Sequence, residues 1–209
     1  MPSANAHPPT PVRRLFLPGA GADPAFWRPL GDRLPAAWPK HYFGWPGLSE
    51  QPPDPAVNGI DDLVAMVLRE AGDGPVDLLA QSMGGFVALA ATLRRPAAVR
   101  RRVLSVTSGG GDVRGLGGID WSANYRREHP NAADWIAEPV ADLSAALPGL
   151  AQPVLLIWGG EDPISPVAVG ERLASLLPNA RLHVVPGAGH DVVERHATEL
   201  APLIETFLA

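Results

Sequence analysis

The sequence predicts a single-domain α/β protein with a mostly parallel, six-stranded sheet and helices on both of its faces. Six short, mostly apolar runs bounded by Gly or Pro alternate with helical stretches, and such runs are typical of strands buried on both faces. Strands that alternate with helices favour a parallel sheet with right-handed crossovers. A length of 209 residues is comfortable for one domain and cramped for two.

The predicted elements follow from local signals along the chain. Asp23 before Pro24 is a helix start signal, and Gly72 lies where the next helix should end. The predicted helices are residues 24–34, 60–71, 84–95, 166–177 and 192–208. The predicted strands are residues 14–17, 41–45, 76–80, 103–107, 154–158 and 181–185.

One segment interrupts this alternation. A glycine-rich stretch at 108–118 leads into residues that read as two or three short helices, so we expect a small helical lid at about 112–147. Trp121, Tyr125 and Trp135 lie on the apolar sides of these helices. They are candidates for substrate contact, and the alternative is that they form the core of the lid itself. Residues 1–11 are expected to form a loose tail.

Composition excludes several classes of function. The net charge of −5 argues against a nucleic-acid partner, and the absence of cysteine excludes disulfides, thiolate metal sites and a cysteine nucleophile. No apolar run is long enough to span a membrane, and the first residues lack a signal-peptide pattern, so a cytoplasmic location without a membrane partner is expected. The arginines near residues 94–102 are interpreted as a helix end followed by a surface approach to a strand. Oligomeric state stays open.

The most informative segment is the turn at Ser82. A buried strand ends at Ala80 and a helix starts directly after Ser82, so the turn between them must be tight. Such a turn forces its middle residue into a strained conformation and requires small neighbours two positions away on either side, which Ala80 and Gly84 provide. This pattern predicts a nucleophile elbow. The alternative is a serine that caps the helix, which leaves the small neighbours unexplained.

With these motifs, the chain from about Val12 to its C-terminus resembles the α/β-hydrolase fold superfamily, whose members carry Ser, then an acid, then His. The resemblance implies Ser82 as nucleophile, Asp162 as acid and His190 as base. Asp162 directly follows a buried strand, and His190 lies on a glycine-rich loop after the last strand. Asp112 is a rival for the acid, and a helix cap is the alternative role for Asp162.

The resemblance also implies an oxyanion hole formed by two backbone amides. One belongs to Met83, directly after the nucleophile, and the other is expected from Ala20 in the loop after the first strand. Relatives usually carry His-Gly in this loop, whereas this chain has Pro18-Gly19. A dinucleotide site at this loop is rejected because the full GxGxxG pattern is missing.

The expected activity is serine hydrolysis of a small or medium carboxylic ester through an acyl-enzyme intermediate. Thioester or carbon–carbon bond hydrolysis, perhydrolysis and lyase chemistry on the same triad stay open, as does a ligand sensor on this scaffold. No cofactor is expected. A metal site at His190, Asp191 and His196 is disfavoured because the spacing suits no single helical face.

Overall fold

The computed structural model describes residues 11–209, and its centre is a six-stranded sheet. The strand order is β2-β1-β3-β4-β5-β6, and every pairing between neighbouring strands in the described chain is parallel. The predicted fold class is therefore confirmed. Residues 1–10 of the expected tail lie outside the described residues.

The elements follow one another along the chain as the alternation predicts. The strands are β1 (Arg13–Leu17), β2 (Lys40–Tyr42), β3 (Val76–Gln81), β4 (Val99–Ser105), β5 (Val154–Gly159) and β6 (Ala180–Val185). The helices are α1 (Arg28–Gly31), α2 (Ile60–Ala71), α3 (Met83–Arg94), α4 (Ser122–Glu128), α5 (Val167–Leu176), α6 (Val192–Arg195) and α7 (Ala197–Leu208).

The core lies on both faces of the central strands. Every residue of β3 and β5 is buried, which requires a cover on each face of the sheet. Helix α3 contacts β1, β3 and β4 and packs against α2, while α1 contacts α6 and α7. The sheet is thus a rigid layer from whose carboxyl edge loops can project side chains.

Four predicted elements differ clearly from the observed ones, and one of them is β4, which begins at Val99. The helix expected at 24–34 is a 3₁₀ turn, Pro24–Trp27, followed by the single-turn α1. The strand expected at 41–45 ends at Tyr42, because beyond Phe43 the chain leaves β1 and the Trp45 indole donates to the carbonyl of Pro18 instead. The last predicted helix is interrupted at His196, between α6 and α7.

The sequence predicts that the arginines before the strand expected at 103–107 lie at the surface, and this prediction is wrong for Arg102. This side chain is fully buried on β4, where its Nη2 donates to the carbonyl of Gln152 at 3.0 Å. Nearby, Arg100 forms two hydrogen bonds to the buried carboxylate of Asp77, at 2.9 and 2.7 Å. These groups extend β4 at its amino end, so the strand begins four residues earlier than the sequence predicts.

The segment at 112–147 consists of α4 and three short 3₁₀ turns: Arg114–Leu116, Asp134–Ala137 and Leu147–Gly149. The Trp121 ring packs edge-on against Tyr125, with ring centroids 5.5 Å apart. Tyr125 and Ile136 are buried. The aromatic residues thus contribute to the packing of the segment as well as to the cavity below it, and its role as a lid stays a prediction.

Candidate active site

The three residues implied as a triad follow three strands of the sheet at its carboxyl edge. Ser82 comes directly after β3, Asp162 follows β5, and His190 lies after β6. Parallel strands bring their carboxyl ends to one edge, and β4 separates β3 from β5. Side chains that are 108 positions apart in sequence, at 82 and 190, thereby reach the same cavity.

Ser82 has the backbone conformation of a nucleophile elbow. Its φ of 52° and ψ of −120° lie in a region that residues with a Cβ rarely occupy. Its amide donates to the carbonyl of Ser105 at 2.9 Å, which ties the turn to β4. The side chain makes no capping hydrogen bond to α3, so the capping alternative has no support in this geometry.

Gly84 is required by close backbone contacts beside the elbow. A Cβ on Gly84 would lie 2.4 Å from the carbonyl oxygen of Pro18 and 2.6 Å from that of Leu17. A Cβ on Gly19 would lie 2.3 Å from the end of the Gln81 side chain, which would have to move. The elbow and the end of β1 therefore approach more closely at Gly84 than any larger residue would permit.

Asp162 and His190 form a buried acid–imidazole pair. His190 Nδ1 donates to Asp162 Oδ2 at 2.7 Å, and the Asp162 side chain is fully buried. The other carboxylate oxygen accepts the amides of Ile164 at 2.8 Å and Ser165 at 3.1 Å. A carboxylate with these donors holds the imidazole in one orientation and leaves Nε2 as the acceptor nitrogen.

Two cavities meet at His190 and Ser82. The larger has a volume of about 370 Å³ and includes Trp135, and the smaller has about 310 Å³ and includes Ala20 and Tyr125. The residues that line both cavities are Ser82, Trp121, Ile164 and His190. The serine and the imidazole thus face common space from which a substrate can reach both.

The predicted oxyanion-hole residues border the same space. Met83 is the first residue of α3, so its amide has no acceptor within the helix, and it lines the larger cavity. Ala20 lies in the loop after β1 and lines the smaller cavity. The amides of both residues as donors to a developing oxyanion stay a prediction.

Asp112 lies away from the imidazole. It is exposed, its Oδ1 accepts the amide of Arg114 at 3.0 Å, and it lines a different cavity from His190. Asp162, which bonds His190 directly, is the better acid candidate on geometry.

Sequence reasoning missed two residues that shape the site. Gln81 is buried directly before the nucleophile, and its amide nitrogen donates to the main-chain carbonyl of His190 at 3.3 Å. Val106 follows β4 with a φ of 46°, an unusual value for a β-branched residue, and lines the larger cavity. The adjacency of Gln81 to Ser82 was a usable signal, whereas nothing in the sequence marks Val106.

Among residues 11–209, no group of three or more His, Cys, Asp or Glu side chains is arranged to hold a metal ion. Within the same range, no helix is long and apolar enough to cross a membrane. The site is thus built from a hydroxyl, an imidazole and a carboxylate at the carboxyl edge of a parallel sheet. Together with the fold, it defines the class of α/β hydrolases.

Comparison with known families agrees. A model described as "Alpha/beta hydrolase family" matches residues 15–136, and one described as "alpha/beta hydrolase fold" matches residues 117–197. The chain belongs to the alpha/beta hydrolase family.

The proteins similar to this chain include some named as esterases and one named as a polyketide synthase. The chain is 30% identical to the polyketide synthase ThaQ of Burkholderia thailandensis over 243 residues, covering 94% of this chain but 12% of ThaQ. It is 27% identical to the pimeloyl-[acyl-carrier protein] methyl ester esterase of Neisseria meningitidis, covering 96% of this chain and 94% of that enzyme. The solved structure of a thermophilic esterase from Thermogutta terrifontis matches with a TM-score of 0.76 at 22% identity, covering 95% of this chain and 90% of that one.

Proposed function

We propose that the protein is a serine hydrolase that cleaves a small or medium carboxylic ester through an acyl-enzyme intermediate. The observation that carries the proposal is the 2.7 Å bond between buried Asp162 and His190, at a cavity that Ser82 also lines. A buried carboxylate oriented on an imidazole next to a strained serine is an arrangement that activates a hydroxyl nucleophile.

In the proposed reaction, Ser82 Oγ attacks the ester carbonyl while His190 Nε2 takes its proton. The negative charge on the former carbonyl oxygen is stabilised by the amides of Met83 and Ala20, and Asp162 stabilises the imidazolium. The carbon–oxygen bond to the alcohol then breaks as His190 returns the proton to the leaving oxygen. Water repeats the sequence on the acyl-enzyme and releases the acid, so that one ester and one water give one acid and one alcohol.

The two cavities support an ester whose acyl part and alcohol part are both of modest size. They meet at Ser82 and His190, so the acyl part of a substrate can occupy one while the alcohol part occupies the other. The volumes of about 370 and 310 Å³ lie at the lower end of the usual range for small-molecule sites, roughly 300–1,000 Å³. Trp121, at the junction, provides an apolar contact to either part.

A second candidate substrate is an ester whose acyl chain is attached to a carrier protein. The name of the Neisseria relative favours it, and the polyketide synthase likeness is compatible with it. The segment over the cavities, however, carries six carboxylates and three arginines between residues 112 and 147. Its excess of negative charge disfavours docking of an acidic partner, so a free ester is the first candidate.

The test is turnover of p-nitrophenyl esters from acetate to dodecanoate by the unmutated chain and by Ser82→Ala. We expect the highest kcat/KM for short and medium acyl chains, and a loss of about 10⁴-fold or more in the variant. A fluorophosphonate probe should label Ser82 alone. Labelling at another residue, or full activity in Ser82→Ala, would contradict the proposal, and ligand binding without turnover of any ester or thioester would favour a sensor.

A further inference from the structure

The loop that carries the predicted Ala20 donor is held by an unusual set of hydrogen bonds. Four consecutive main-chain carbonyls, from position 17 to position 20, each accept one bond. Three of the donors are aromatic side chains from distant parts of the chain, and the fourth is the amide of Ala22. The bonds are Trp27 Nε1 to Leu17 at 3.0 Å, Trp45 Nε1 to Pro18 at 2.7 Å, Ala22 N to Gly19 at 3.0 Å and Tyr125 Oη to Ala20 at 2.9 Å.

The direction of the Tyr125 hydroxyl is fixed by its two partners. The amide of Ser49 donates to this oxygen at 3.0 Å, and an amide N–H can only donate. The carbonyl of Ala20 can only accept, so the hydroxyl hydrogen points at Ala20. Burial of the side chain raises the pKa of Tyr125 above its ordinary value of 10.0, which keeps the hydroxyl protonated as a donor at neutral pH.

Both peptide planes that flank Ala20 are constrained by this arrangement. Ala22 N holds the plane before it through the carbonyl of Gly19, and Tyr125 holds the plane after it through the carbonyl of Ala20 itself. The loop otherwise lies between two cavities of about 310 and 460 Å³, both of which include Gly21. Gly21 is therefore exposed between the cavities, while Gly19 and Ala22 are buried and Ala20 packs against the core. The hydrogen bonds and this packing together hold the peptide planes around Ala20.

We propose that Tyr125 is a positioning residue for the oxyanion hole: its hydroxyl, which α4 provides, fixes the peptide plane after Ala20. Together with the bond from Ala22 to the plane before it, this keeps the Ala20 N–H directed toward the reacting carbonyl oxygen. This inference rests on the proposed ester hydrolysis and deepens it. The loop carries Pro18-Gly19, and the aromatic donors contribute to its anchoring in this chain. Because Tyr125 belongs to α4, a shift of that helix away from the sheet would break the bond to Ala20 and leave the other three in place.

The test is Tyr125→Phe, which removes the hydroxyl and retains the ring. We expect kcat to fall about 10-fold, a fraction of the 10²–10³-fold effect of deleting an oxyanion donor, with KM within about twofold. The rate of fluorophosphonate labelling of Ser82 should fall by a similar factor, since phosphonylation develops charge on an oxygen at the same position. Tyr42→Phe is the matched control, because it deletes the only other tyrosine hydroxyl of the sequence, on β2.

The outcomes separate this inference from the proposed function. If the unmutated chain hydrolyses no ester, the proposed function fails, and the labelling rates of the two variants still test Tyr125. If Tyr125→Phe keeps its kcat and labelling rate, or loses rate only through a raised KM, the inference is overturned. Should Tyr125→Phe fail to fold, 4-aminophenylalanine and 4-methylphenylalanine at position 125 offer similar bulk with and without a donor. Equal rates for these two would also overturn the inference.

Discussion

The two edges of the sheet each hold a fully buried carboxylate, and the two carboxylates have different partners. At the amino edge, Asp77 lies against Arg100 at 2.7 Å and Arg14 at 3.4 Å, which are permanently charged. At the carboxyl edge, Asp162 lies against the imidazole of His190 at 2.7 Å. A buried carboxylate is therefore paired with two guanidinium groups at one edge and with an imidazole at the other.

The residues with a strained backbone also lie on the carboxyl side of the sheet. In the described chain, four residues other than glycine have positive φ, and each lies between the carboxyl end of a different strand and the next regular element, two of them directly after the strand. They are Ala22 after β1, Ser49 after β2, Ser82 after β3 and Val106 after β4. Strain of this kind persists only where the surrounding structure enforces it. The carboxyl edge is thus the part of the fold that departs from local preference.

The largest effect on activity is expected from replacing Asp162, the candidate acid at the carboxyl edge. Asp162→Asn should lower kcat by about 10⁴-fold, because an amide neither fixes the imidazole tautomer nor stabilises the imidazolium. The melting temperature should change little, since asparagine can still accept the amides of Ile164 and Ser165. Ester turnover and thermal unfolding on the same preparation check this. Asp112→Asn is the matched control, and a comparable loss in that variant would reassign the acid.

The opposite pattern is expected for Asp77→Asn. Removal of this charge leaves Arg100 and Arg14 without a buried counter-charge, and breaking a buried pair costs about 3 kcal/mol or more in the free energy of unfolding. Turnover per folded molecule should stay within about twofold, because the site lies at the other edge of the sheet. Urea unfolding and titration of Ser82 with a fluorophosphonate measure the two quantities. A large loss of kcat at full folding would contradict the division between the edges.

A smaller, stabilising effect is expected at Arg102. Burial lowers the pKa of this guanidinium to about 10, and its Nε and Nη1 have no partner among the described residues. A folded-state pKa below the unfolded 12.5 means that the charged form is disfavoured in the folded protein at neutral pH. Arg102→Met should therefore raise the free energy of unfolding by about 1–2 kcal/mol.

The pH dependence of this change follows from its sign. As pH rises above about 10, the unmutated protein regains the stability that burial of the charge removes, and the advantage of Arg102→Met should shrink. Urea unfolding of both proteins at neutral and alkaline pH measures the difference. If Arg102→Met is no more stable than the unmutated protein at neutral pH, the hydrogen bond to Gln152 outweighs the desolvation of Arg102.

The sequence predicts well what depends on short-range pattern. Apolar runs bounded by Gly or Pro located the six strands, and small residues around Ser82 located the elbow, because both signals lie within about ten residues. The errors concern contacts that are remote in sequence. Arg102 lies in a polar run that hydropathy assigns to the surface, yet its burial depends on β3 and β5 on either side.

The anchoring of the oxyanion loop has the same explanation. The sequence of this loop, Pro18-Gly19, differs from the His-Gly pattern of the superfamily that the chain resembles. The side-chain donors that hold it are Trp27 in a 3₁₀ turn, Trp45 in the loop after β2 and Tyr125 on α4. No local pattern marks these side chains as hydrogen-bond donors to one loop, so only the folded structure identifies them.

The smallest expected effect tests the strain at Ser82 directly. Ser82→Ala and Ser82→Gly both remove the nucleophile, so they differ in backbone preference without a difference in activity. Glycine adopts a φ of 52° without a Cβ clash, a relief of about 1–3 kcal/mol, and loses about 0.5–1 kcal/mol through the greater freedom of the unfolded chain. The free energy of unfolding of Ser82→Gly should then be about 1 kcal/mol higher than that of Ser82→Ala. An alanine variant of equal or greater stability would mean that the elbow stores no strain, and the contrast between the two edges would reduce to their buried charges.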